Sequence, residues 1–173
     1  MGHYIVFQVS FTAGKKNFQT IIEQLKSLNL ITNIPIVLVP IGTATLHEDD
    51  VILERIHKEL QNETRYFGTQ NIQVTMGLIA HAKLFMGSSL HGCITAMSFA
   101  VPYVGLSSEI SKIKAYLNDW AIDELKNGAC PETMAEEAIK AIKVDNTKLQ
   151  LSRENLIRLS YENINGIKQI LFK

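Results

Sequence analysis

Apolar residues along this chain alternate between two rhythms. Tyr4-Ile-Val-Phe-Gln-Val9 is a near-continuous apolar run of β-formers and predicts a central parallel strand. Ser10 to Lys16, with Thr12, Gly14 and two lysines, reads as a loop. Asn17 stands where a helix cap belongs, and Ile21, Ile22, Leu25 and Leu28 share one face of a helix reaching about Leu30. Ile34 to Val39 predicts the second strand, with Pro35 tolerated only near its start. A loop, Pro40 to Asp50, leads into a helix from about Asp49 to Gln61. Arg65 to Phe67 fits a short strand, and Val74 to Ala82 a short helix that buries Leu78 and Ile79.

The second half of the pattern is sharper. Leu84-Phe85-Met86 is long enough for a buried strand, and Gly87-Ser88-Ser89 is a turn that supplies helix caps. From Leu90 to Ala100 the apolar residues form two helical rows, as expected of a helix lying on a sheet. Pro102 ends that helix and opens the strand Tyr103 to Leu106. Helical stretches follow at Glu109 to Leu117 and Trp120 to Lys126, with Trp120 expected as a core anchor and Asn127-Gly128 as the stop. Pro131 suits the first turn of a helix to about Lys143. Asp145-Asn146-Thr147 can cap a last long helix to about Leu171, whose apolar stripe is expected to pack back on its own sheet.

Strands alternating with helices predict an α/β fold: a Rossmann-like three-layer parallel sheet, with residues 1–173 forming one domain. The dinucleotide fingerprint is absent after the first strand, and Gly14-Lys15-Lys16 lacks the spacing and hydroxyl of a phosphate loop. Lys+Arg and Asp+Glu are 17 each, so the formal net charge is zero, which argues against bulk nucleic-acid binding. Cys93 and Cys130 show no disulfide framework or metal spacing, and Cys93 falls on an apolar helix face as a packing thiol. No signal peptide or membrane-spanning run is visible, so a cytoplasmic location is expected. Met1-Gly2-His3 leads straight into a strand, as expected of a piece cut at a domain boundary.

In a parallel sheet, ligands bind at the carboxyl ends of the strands. That rule gathers four loops: Gln8 to Lys16, Ile41 to Asp50, Gly87 to His91 and Ser107 to Lys112. His91 is the leading candidate, because it falls in the first turn of a helix where free amides attract anions. An imidazole there can hold a phosphate or donate a proton; the plain alternative is a local cap or packed side chain. Ser88 and Ser89 are caps that can also bond a phosphate, and Gly92 serves either close packing or close approach of a ligand. Lys112 and Lys15 can neutralise an anion or simply be solvated. His47, Asp49 and Asp50 form a polar triplet, although Asp49 also fits a helix cap and Asp50 a partner for the helix dipole.

Leu90-His91-Gly92, the small-residue helix after it and Val101-Pro102 resemble the polysaccharide pyruvyl transferase family, and Ser111-Lys112-Ile113 extends the likeness. Ser89 stands where the family often has Arg, and no Arg follows the first strand. The resemblance implies the carboxyl-terminal, GT-B-like half of a transferase that moves a pyruvyl group from phosphoenolpyruvate to sugar hydroxyls of a surface polysaccharide, forming a ketal. No cofactor beyond that donor is expected, and no residue is singled out as a metal ligand. The expected partners are phosphoenolpyruvate, a saccharide or lipid-linked saccharide acceptor and the missing amino-terminal half, with peripheral membrane association of the full-length enzyme. A half of this kind is expected to bind its donor weakly or not at all and to be inactive alone. Two other readings stay open: the nucleotide-sugar domain of a GT-B glycosyltransferase, with Glu109 near the ribose, and a non-catalytic Rossmann-like binding or assembly domain whose final helix docks a partner.

Overall fold

The computed structural model describes residues 2–43, 48–68, 71–106 and 111–171. Five strands form one sheet: β1 (Ile5–Gln8), β2 (Ile36–Leu38), β3 (Thr64–Tyr66), β4 (Leu84–Gly87) and β5 (Tyr103–Gly105). They lie in the order β3-β2-β1-β4-β5, and every pairing is parallel. β1 is central because it is apolar on both faces; Ile5, Val6 and Phe7 are wholly buried.

The helices are α1 (Phe11–Lys16), α2 (Phe18–Thr32), α3 (Asp49–Glu59), α4 (Ile72–Ala80), α5 (Leu90–Ser98), α6 (Ser111–Trp120), α7 (Met134–Ile142) and α8 (Asn146–Leu171). Contacts among α1, α2, α3 and α7 form one layer, and contacts of α5 with α4, α6 and α8 form the other. The fold is therefore the expected three-layer α/β arrangement. From β1 the chain first moves to β2 and β3, then crosses back to β4 and β5. The strand order thus reverses between β1 and β4, which is the switch point where such sheets open a crevice. No helix of the described residues is long and apolar enough to cross a membrane.

Several expectations need correction; the stretch from Trp120 to Lys126 is not helical, because α6 ends at Trp120 and bends and turns follow it. Ser10 to Lys16 is not a loop: Phe11–Lys16 form α1. Gly14 allows it, because a Cβ there would meet Ile52 Cγ1 at 2.6 Å and Val9 Cγ1 at 3.0 Å. Trp120 is not a core anchor. Ile113 and Leu117 fill the buried row of α6, while Trp120 ends the helix, 43% exposed and tilted against Tyr116. Finally, α8 packs on its own domain only at its start. Leu149 is buried and Leu156 partly so, but Ile164, Ile167 and Leu171 are exposed. Pro131–Thr133 form a 3₁₀ turn before α7, a small shift from the single helix expected.

Candidate functional site

Local geometry at the switch point follows from β4 and α5. Gly87 ends β4 because a side chain there would meet Gln8 O, Gln8 Oε1 and Phe85 Cζ, each at 2.9 Å. Ser89 is the N-cap of α5, its Oγ accepting from Gly92 N at 3.2 Å. Helix geometry leaves the Leu90 and His91 amides with no acceptor of their own. Gly92 is a packing residue: a Cβ would lie 2.2 Å from Phe85 Cζ. Close apposition of α5 on β4 brings the first helical turn over the strand ends.

Ser88 does not cap the helix. It is buried, and its Oγ accepts from Ser10 N at 2.8 Å while lying 3.5 Å from Gln8 Oε1 as donor. On the other side, Gln8 Nε2 donates to Asp49 Oδ2 at 2.7 Å. Gly42 N and Ile41 N also donate to that oxygen, at 2.8 and 3.3 Å. Gln8 and Asp49 are both buried. A polar side chain inside a buried parallel strand needs partners, and Gln8 finds one on each flank. This Ser88–Gln8–Asp49 chain ties together the loops after β1, β2 and β4.

Above this floor is a hollow of about 660 Å³. Gln8, Ser10 and Thr12 line one part, Ile41, Gly42 and Asp49 a second, and Ser88, Ser89, Leu90, His91 and Lys112 the third. His91 and Lys112 are exposed side chains from different helices that meet at this hollow. The rim therefore offers an imidazole, an ammonium and first-turn amides, a set suited to an anion with several oxygens.

Not every candidate lies here. Lys15 is exposed over the Phe11 ring, 5.9 Å from its centroid, and is not part of the lining. Asp50 is also outside it; with Glu54 its charge helps burial hold the Tyr66 phenol above its ordinary pKa. His47 and Glu109 fall outside the described residues. Asp49 is the residue that sequence reasoning placed least well, as a helix cap; α3 is instead preceded by Glu48 in the left-handed region. The signal that could have found its role was Gln8, a lone amide in an apolar run. Among the described residues, no three His, Cys, Asp or Glu side chains gather as metal ligands would.

Solved structures share this architecture. A mutant of S. aureus TarM, in complex with fondaparinux, α-GlcNAc-glycerol and UDP, is 19% identical with TM-score 0.60 over 90% of this chain and 32% of its own. The Methanocaldococcus jannaschii UDP-GlcNAc 2-epimerase, in complex with UDP-GlcNAc and UDP, is 12% identical with TM-score 0.64, over 93% and 46%. AviGT4, a glycosyltransferase of avilamycin A biosynthesis, is 10% identical with TM-score 0.60, over 98% and 51%. The chain thus spans between a third and a half of these proteins' length, and its fold is that of one half of the GT-B-type architecture. No curated protein matches its sequence. Residues 1–109 match the profile described as polysaccharide pyruvyl transferase, and the chain belongs to that family.

Proposed function

We propose that the hollow between β1 and β4 is the donor site of a pyruvyl transferase and takes phosphoenolpyruvate. The observation that carries this is the meeting of His91 and Lys112 at one hollow beside the first turn of α5. The donor carries a phosphate and a carboxylate, and the cationic rim with its helix amides suits both. His91 is the general acid in this reading. It gives a proton to C3 of the enol, so the methylene becomes a methyl group. One sugar hydroxyl bonds to C2, the bond from C2 to the phosphate oxygen breaks, and a second hydroxyl completes the ketal. Of the two hydroxyl protons, one restores His91 and the other leaves on phosphate. Ser88 acts below, holding Ser10 and Gln8 in place, and Ser89 fixes the helix start.

The acceptor would be a saccharide presented by another part of a longer enzyme, so residues 1–173 form the donor half and are inactive alone. One observation favours a second reading: two structures of the same fold hold UDP. That makes a nucleotide-sugar site at this edge the alternative.

Calorimetry separates the two. Phosphoenolpyruvate should bind this chain weakly, His91→Ala should lose most of that binding, and a UDP-sugar should not bind. His91→Gln should keep part of the affinity, since an amide still donates a hydrogen bond. Binding of the UDP-sugar alone would replace the pyruvyl reading with the glycosyltransferase one. Equal phosphoenolpyruvate affinity in His91→Ala would remove His91 from the site.

A further inference from the structure

We infer that the exposed part of α8 is a pairing surface for a second copy of this chain, joined as an antiparallel two-helix coil. The start of α8 is already covered: Leu149 is buried, Leu156 packs against the core beside α5, and Arg153 Nε donates to Ser98 O at 2.8 Å. Beyond Leu156 the same side of the helix continues with no cover among the described residues. Ile157, Ser160, Ile164, Ile167 and Leu171 repeat at spacings of three and four, the rhythm of a coiled-coil seam. The four apolar members are 40–69% exposed. The Arg158–Glu162 ion pair occupies the opposite, wet face.

Charge chooses the occupant and its direction. Lay two copies antiparallel, with Ile157 opposite Ile167 and Ser160 opposite Ile164. One flank then sets Glu154 of each copy beside Lys168 of the other, with Tyr161 facing Tyr161 at the two-fold axis. The second flank sets Asn163 against Asn163. Both flanks are self-complementary, as a two-fold interface requires. Parallel pairing forms neither ion pair, because Glu154 then meets Leu149 and Lys168 meets Asn163. Within their own chain, Glu154 and Lys168 take part in none of the ion pairs of α8 among the described residues.

Sedimentation equilibrium on the full chain tests this, with circular dichroism confirming that each variant is folded. The expected result is a dimer that weakens roughly tenfold in Glu154→Lys, since both flanking pairs become repulsive, and likewise in Lys168→Glu. An equimolar mixture of the two variants should associate again, because both flanking contacts of the mixed dimer then join opposite charges. A chain that stays monomeric up to roughly 200 μM, where even weak coils with micromolar constants would be filled, overturns the inference. So does a dimer indifferent to both reversals. The first outcome would mean that another partner, such as the rest of a longer enzyme, covers the seam.

Discussion

Gly92 and Gly77 are both helical, yet the same substitution should act on them with opposite signs. At Gly92 an added Cβ would lie 2.2 Å from Phe85 Cζ and 2.9 Å from each Cε. Carbon atoms pack at about 3.5–4.0 Å, so the helix and the ring must separate by roughly 1.5 Å. The ring has no easy retreat. Phe85 is wholly buried, and its tip is also the nearest side-chain carbon to Gly87, at 2.9 Å from an ideal Cβ. Overpacking of this kind costs about 1–3 kcal/mol, and the better helix propensity of Ala offsets at most about 1 kcal/mol of it. Gly92→Ala should therefore destabilise the chain by about 1–2 kcal/mol. At Gly77, in α4, a Cβ meets nothing within 4 Å. Gly77→Ala should stabilise by about 0.5–1 kcal/mol. Urea unfolding at one temperature reads both shifts. Phe85→Leu removes the ring tip, so Gly92→Ala should cost less in that background, with coupling of about 0.5–3 kcal/mol. If Gly92→Ala is as stable as the parent, the tight apposition of α5 on β4 is refuted, and with it the account of how His91 is placed.

Removing the Asp49 carboxylate strands Gln8 Nε2 and Gly42 N, so Asp49→Ala should cost about 2–4 kcal/mol in urea unfolding. Burial pushes the Cys93 thiol from its ordinary 9.0 up to about 12. A raised folded value means stability is complete below pH 9 and falls as pH rises toward 12, by at most about 1.4 kcal/mol per pH unit. Denaturant midpoints should drop more steeply with pH in the parent than in Cys93→Ala; parallel curves would show the thiol is not buried in solution. Ser89→Ala removes the cap of α5 and should cost about 1 kcal/mol, read as a lower melting temperature.

Elements buried on both sides of the sheet were legible from the sequence, because continuous apolar runs such as Ile5 to Phe7 and Leu84 to Met86 have few other homes. The helix caps of the motif were legible as a pair, but not which serine does what. That depends on Ser10, 78 residues away from Ser88 in sequence. α1 escaped because it has no side-chain cap and carries a glycine whose value lies in contact with Ile52 from another element. Trp120 and α8 were misplaced for one reason. Amphipathic periodicity says that a face is apolar, but not whether the domain's own surface extends far enough to cover it.

The site's position follows from topology more than from any one residue. Between β1 and β4 the chain turns to opposite layers, so no crossover covers the strand ends there. A gap at that place would fill with water and weaken the loops around it unless something joined them. Gln8 does so, with its amide nitrogen held toward the loop after β2 and its oxygen toward the loop after β4. Once the floor is satisfied in this way, its own groups have their partners. Around it, Thr12, His91 and Lys112 line the hollow together with the first-turn amides of α5. In the donor-site reading proposed above, a floor whose polar atoms are already paired, beneath a rim that carries positive charge, favours a small ligand that is anionic on more than one side. This is the feature in which phosphoenolpyruvate, with its phosphate and its carboxylate, differs from a neutral sugar.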